Sequence, residues 1–316
     1  MESAPLPCRK MQPSTSRGSH RLLGYCRGIG AAEPSTRARA RVMFVRESYP
    51  VNEPRACAEL FSMEYSRFLD CLAADFARLR AVAPADPTAT VPTCPDWTVA
   101  DLTRHVGEVY LHKTLAMREG AEPDPWPPKE LADEEPLALL DRAYAGLRGE
   151  FAARQPEDPA PSWYTPDQTV GFWIRRMAQE TVIHRIDAEL GTGQPVAPVP
   201  ADLTVDGIDE LLKVFVAYSV GEWGGYFTDI LNGSPGRTYT VRTDGAAWRV
   251  RTGPGLFAVE DGAGDDAADV TVGGPPASVL RWVWNRQGAD EASGVTVEGA
   301  PEAVEELQRC IVTATQ

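Results

Sequence analysis

The chain has 316 residues, enough for two domains, and an apolar content ordinary for a soluble globular protein. Its formal charge of −14 argues against a nucleic-acid partner, and no apolar run is long enough to cross a bilayer. Six cysteines without CxxC spacing, on a chain too long to need staples, read as reduced and cytoplasmic.

Residues 1–62 differ from the rest. They hold 10 Lys/Arg against 5 Asp/Glu, whereas the remainder holds 21 against 40. Short Pro/Ser/Thr/Arg clusters and no sustained period predict a disordered basic extension without packed structure. A disordered tail, a weak targeting segment and an upstream extension with the functional chain starting at Met43 or Met63 compete, and the amphipathic helix directly after Met63 favours the third.

Over 64–83, Phe68, Leu72, Phe76 and Leu79 recur at helical spacing and predict a first helix, which Pro84, Pro87 and Pro92 end. Thr98 and Asp101 form a capping-box pattern that starts a second helix, running to about 119 with a buried stripe of Leu102, Val106 and Val109. A third helix spans about 133–154 with Pro136 in its first turn. Residues 165–168 can cap a fourth, which stops at Gly191, and a fifth covers about 202–218. After Gly236 the pattern changes. Two β-rich runs joined by Asp244-Gly245 predict a hairpin, followed by short strands near 255–260, 269–272 and 294–298 and by helices over 275–287 and 301–312. The fold class is therefore α, then α+β: a helical bundle over 63–225 and a small α+β domain over 236–316.

Chemistry concentrates on the fourth helix. Glu180 and His184 are four residues apart and leave one face, in line with Trp173 and Met177, which should be buried. A buried carboxylate needs a partner or a metal, so either Glu180 pairs with another side chain or it binds an ion together with His184. His105, on the edge of the second helix's stripe, can meet them in a bundle, and two histidines with one carboxylate suit Zn²⁺ or non-haem Fe(II). An internally satisfied polar trio is the plainer alternative. Asp187 is placed to support His184. His112 lies about 10 Å beyond His105 along the helix and reads as a surface or packing residue. Arg104, Arg175, Arg176 and Arg185 can grip a carboxylate substrate or sit on solvated faces. Cys71 and Cys94 lack basic sequence neighbours and read as structural. Trp282 and Trp284 read as core and interface residues of the small domain.

The stretch Cys94-Pro95-Asp96-Trp97-Thr98-Val99-Ala100-Asp101-Leu102-Thr103-Arg104-His105-Val106-Gly107 resembles the first signature of the mycothiol-dependent maleylpyruvate isomerase family. Glu180-Thr181-Val182-Ile183-His184-Arg185-Ile186-Asp187-Ala188-Glu189 resembles its second. The resemblance covers about 63–316. It implies a DinB-like four-helix bundle that holds a divalent metal, usually zinc, through His105, Glu180 and His184. It also implies mycothiol, the small thiol of actinobacteria, as cosubstrate, and a C-terminal domain that helps wall the site. In such an isomerase a thiolate adds to an activated cis double bond, the resulting single bond rotates, and the thiol leaves to give the trans product. In a transferase the thiolate attacks an electrophile and stays attached. The expected partners are thus a small-molecule thiol and an electrophile, with no nucleic acid and no membrane. A non-catalytic metal-binding or ligand-sensing protein on the same fold is the second hypothesis. Substrate-clamping residues and oligomeric state are not legible in the sequence.

Overall fold

The computed structural model describes residues 63–264, 266–286 and 294–315. The basic extension over 1–62 lies outside the described residues. Helix α1 (Tyr65–Val82) is followed by a short antiparallel pair, β1 (Thr90–Val91) and β2 (Cys94–Thr98), which leads straight into α2 (Val99–Glu119). Thr98 and Asp101 close the expected capping box, satisfying both ends of the first turn, and Gly120 ends the helix in a left-handed conformation at φ 67°. Pro136 is the first residue of α3 (Pro136–Ala153), where its missing N–H costs nothing.

Helix α4 (Val170–Gly191) starts later than the sequence suggests, because Thr169, not residues 165–168, caps it: its hydroxyl accepts from the Phe172 N–H. Thr165 is instead held by the Tyr218 hydroxyl, and Gln168 donates to the Ser162 and Tyr164 carbonyls, so the expected cap residues build the preceding loop. Burial explains the importance of α4: 19 of its 22 residues are buried, so it has no solvated face. Helix α1 packs along α4 and α2 along α3, and α2 also meets α4 in a buried seam.

The fifth predicted helix is α5 (Ala201–Glu210), which widens into π-helical turns over Leu211–Ala217 and continues as α6 (Tyr218–Glu222). A short α7 (Thr228–Leu231) precedes the sheet. The hairpin forms as expected between β3 (Arg237–Thr243) and β4 (Ala246–Gly253), with Gly245 at φ 85° in the turn. With β5 (Leu256–Asp261), β6 (Val270–Gly274) and β7 (Thr296–Gly299) they make a five-stranded sheet in the order β5-β4-β3-β6-β7, antiparallel except for the β3–β6 pair. Helices α8 (Pro276–Val283) and α9 (Pro301–Thr315) complete a mixed α+β C-terminal part. Helix α5 packs against α8, and the Trp248 indole N–H donates to Asp209 at 2.9 Å, so the fifth helix leans on the sheet side of the molecule. Trp284 is buried edge-on against Phe215, at the junction the sequence expects of it. Among the described residues no helix is long and apolar enough to cross a membrane.

Because the Thr98 box begins the helix that carries His105, its loss should be felt locally. Thr98→Ala is expected to cost about 1 kcal/mol in urea unfolding; an unchanged midpoint would mean that tertiary packing alone holds this end of α2.

Candidate metal centre

Three side chains from two helices converge at the middle of the α2–α4 seam. One donor atom each from His105, Glu180 and His184 lies within 4.8 Å of the others, and the three can hold a metal ion. Glu180 Oε1 is 3.3 Å from His105 Nε2 and 3.3 Å from His184 Nε2. These approaches lack hydrogen-bond geometry, and both Glu180 Oε1 and His105 Nε2 are buried without a hydrogen-bond partner. Buried polar atoms are rarely left so, and two orphaned atoms aimed at one point suit a cation between them. The donor set of two imidazoles and a carboxylate fits zinc or another first-row divalent ion.

The rest of each ligand is held by the protein. His184 Nδ1 is 3.0 Å from Asp187 Oδ2, so the ring is oriented with Nε2 toward the centre, as its spacing from Asp187 anticipates. Thr93, in the β1–β2 turn, donates to Asp187 Oδ1 at 2.7 Å. The Arg286 guanidinium donates to both Asp187 oxygens, at 3.0 and 3.1 Å. Glu180 Oε2 accepts from Arg176 Nη2 at 3.0 Å, which leaves Oε1 for the centre. Arg176 also pairs with Glu210 and lies over the Phe215 ring. Trp97 flanks the cluster, its ring 4.8 Å from that of His105 and 6.4 Å from that of His184. The His105 side chain is 17% exposed against 3% for His184, so the approach from outside is on the His105–Trp97 side.

Electrostatics follow the burial. Desolvation pulls His105 below its ordinary value and keeps it a neutral donor. Desolvation would do the same to His184, but the Glu180 charge and the Asp187 hydrogen bond outweigh it and raise His184 to about 9. Desolvation of Asp187 is likewise outweighed, chiefly by Arg286, which holds its carboxyl well below the usual range.

Several sequence expectations are corrected here. Arg176 and Arg185 are not on solvated faces; both are buried, Arg176 against Glu180 and Glu210, Arg185 against Asp75 and Glu189. Arg104 donates to the Leu131 and Glu134 carbonyls, and Arg175 pairs with Asp206 and Asp209. Of the two roles expected for His112, the structure shows the packing one: it is buried edge-on to Trp126 at 4.8 Å and takes no part in the cluster. Cys94 does have a basic neighbour, Arg286, whose Nη2 is 4.0 Å from its sulfur. Burial raises Cys71 to about 11, in keeping with a structural thiol.

Arg286 is the residue that sequence reasoning misses. Helix α8 ends in a Schellman turn: the Asn285 N–H donates to the Trp282 carbonyl and the Arg286 N–H to the Arg281 carbonyl. Asn285 takes the left-handed position at φ 54°, which asparagine tolerates. The chain reverses there and delivers Arg286 into the helical part. The available signal was an asparagine followed by a charged residue at the end of a short apolar helix.

Two models of one family match the chain: the mycothiol maleylpyruvate isomerase N-terminal domain over residues 69–189, and the corresponding C-terminal domain over 202–306. Between them they span both the bundle and the sheet. The chain belongs to the mycothiol-dependent maleylpyruvate isomerase family. Its fold is similar to crystal structures of a mycothiol-dependent maleylpyruvate isomerase (TM-score 0.52) and of a histidine-to-alanine mutant of that isomerase (0.53). Both are 15% identical to this chain and cover 76% of it and 96% of their own length. No match was found among curated proteins.

Arg286→Met would leave Asp187 buried without its main counter-charge. It is expected to destabilise by about 3–5 kcal/mol in urea unfolding, with Arg286→Lys between the two because an ammonium cannot bind both oxygens. The raised His184 value sets a second expectation. In chelator-stripped protein its stabilising contribution is fully present below about 6.5 and is lost as pH rises through about 9. Thermal midpoints should fall over that window, and the fall should be absent in His184→Gln.

Proposed function

We propose that this chain is a metal-dependent enzyme that uses mycothiol as its thiol cosubstrate, an isomerase acting on a maleylpyruvate-like cis double bond. A thiol S-transferase is the other outcome the same machinery supports, since both reactions begin with the thiolate. The observation that carries the reading is the convergence of three donor atoms, two of them orphaned, in a buried seam. His105, Glu180 and His184 would be the ligands. A divalent cation held by them supplies a Lewis acid that keeps a thiol deprotonated at neutral pH.

The protein's own residues do the remaining work. Asp187 fixes the His184 ring, and Arg286 and Thr93 fix Asp187. Arg176 occupies the second oxygen of Glu180 and so limits it to one free donor atom. Trp97 covers one flank of the cluster, and reactants would approach at the partly exposed edge of His105. Three protein ligands leave open coordination positions, the arrangement of catalytic rather than purely structural sites. That favours catalysis over the non-catalytic metal-binding or ligand-sensing alternative.

Elemental analysis tests the reading. About one equivalent of zinc or another divalent metal is expected in wild type and little in His184→Ala, with thiol-dependent isomerisation lost in parallel. No metal in wild type purified without chelators would remove the basis for thiol activation. Metal binding without any thiol-dependent turnover would favour the sensing protein instead.

A further inference from the structure

One charge in the α2–α4 seam has no role so far. Lys113 sits on the buried stripe of α2, in series with Leu102, Val106, Val109 and Met117, at a position where the helical period calls for an apolar residue. It is only 4% exposed. Its Nζ lies 4.6 Å from the centre of the Trp173 ring, across the seam on α4. Among the described residues it has no hydrogen-bond acceptor and no ion pair. The carboxylates that act on it are Glu122, in the loop after α2, and Glu180, which has one oxygen committed to Arg176 and the other turned to the histidines.

The Lys113 stem is buried, but its Nζ is not among the fully buried polar atoms left without a partner, so the ammonium keeps access to solvent at the seam, where the ring face replaces part of its hydration. The buried cations of α4 each have carboxylates: Arg176 has Glu180 and Glu210, and Arg185 has Asp75 and Glu189. Lys113, across the seam on α2, has no ion pair among the described residues, and it lies in the same α2–α4 seam as the donor cluster. Trp173 is seven residues before Glu180 on one face of α4, so the ammonium sits about 10 Å along the bundle axis from the cluster.

We infer that Lys113 is the anion-binding end of the substrate site, taking a carboxylate of the electrophile whose reactive end lies at His105, Glu180 and His184. This rests on the function proposed above and adds to it a specificity residue for acidic electrophiles. The charged groups facing Lys113 are Glu180 and Arg176 from α4 and Glu122 from the loop after α2, and its helix neighbour His112 is held neutral by burial. Burial lowers the Lys113 amine to about 8. A bound carboxylate favours the ammonium, so above that pH binding takes up a proton and weakens as pH rises.

The test uses the full chain, metal-loaded, with maleate as probe in calorimetry. Lys113→Met keeps the stem and removes the charge, so folding should not suffer. Wild type is expected to bind maleate at pH 7, and Lys113→Met to bind it at least tenfold more weakly. Lys113→Arg should recover part of the loss, and dimethyl maleate should bind both proteins alike. Maleate affinity in wild type should fall past pH 8 with proton uptake, a dependence missing from Lys113→Met. In turnover, KM for the acidic electrophile should rise in Lys113→Met while KM for the thiol holds. Equal maleate affinity in the two proteins, no maleate binding by wild type, an equal loss for the diester, or a rise confined to KM for the thiol would each overturn the inference. Charge-dependent maleate binding without thiol-dependent turnover would sink the proposed function and leave the anion site standing. Turnover with maleate binding indifferent to Lys113 would do the reverse.

Discussion

The structure depends on the burial of a charged helix. Helix α4 carries Arg176, Glu180, His184, Arg185, Asp187 and Glu189, all buried, so that removing α1, α5 or the segment after α8 would strand a charge. Each partner comes from a different place. Asp75 on α1 meets Arg185, Thr93 in the β1–β2 turn meets Asp187, Glu210 at the end of α5 meets Arg176, and Arg286 after α8 meets Asp187. The electrostatic requirement of one helix thereby specifies how the rest of the chain assembles around it.

The two ends of that helix use their charges differently. Toward its C-terminus the network is closed: Arg185 spans Asp75 and Glu189 and also donates to the Ala197 carbonyl, while Arg78 takes the other Glu189 oxygen. Among the described residues no fully buried polar atom of Asp75, Arg185 or Glu189 lacks a hydrogen-bond partner, and the cluster is a fastening. Around Glu180 and His184 each supporting contact satisfies one atom of the ligand and leaves the other directed into the seam. That asymmetry separates a site from a fastening built of the same residue types.

Arg286 ties the two halves together. It reaches Asp187 from the sheet-bearing part, and Trp284 packs on Phe215 beside it, so the orientation of His184 is coupled to the docking of α8. The π-helical turns over Leu211–Ala217 follow directly on Glu210 and carry Phe215, which faces both Arg176 and Trp284. A widened helix close to a polar centre is a recurrent companion of functional sites.

Local rules made much of this legible from the residues alone. The Thr98 capping box, Pro136 at a helix start, the Asp244-Gly245 hairpin and the i, i+4 face of Glu180 and His184 all depend on neighbours within a turn or two, where period and turn chemistry decide the geometry. The candidate trio was within reach for the same reason, because His105 and the Glu180/His184 pair each lie on a regular helix. What only the tertiary structure decided were the partners of charges distant in sequence. Nothing near Arg176, Arg185 or Arg286 announces that these arginines are buried, since a charged side chain on a helix reads as solvated until its counter-charge is known. Asp187 and Arg286 are 99 residues apart and Asp75 and Arg185 110, and no local period links them. Lys113 illustrates the same limit: its spacing puts it on the apolar stripe, but only the packing of α2 against α4 reveals an ammonium over Trp173 with no acceptor among the described residues.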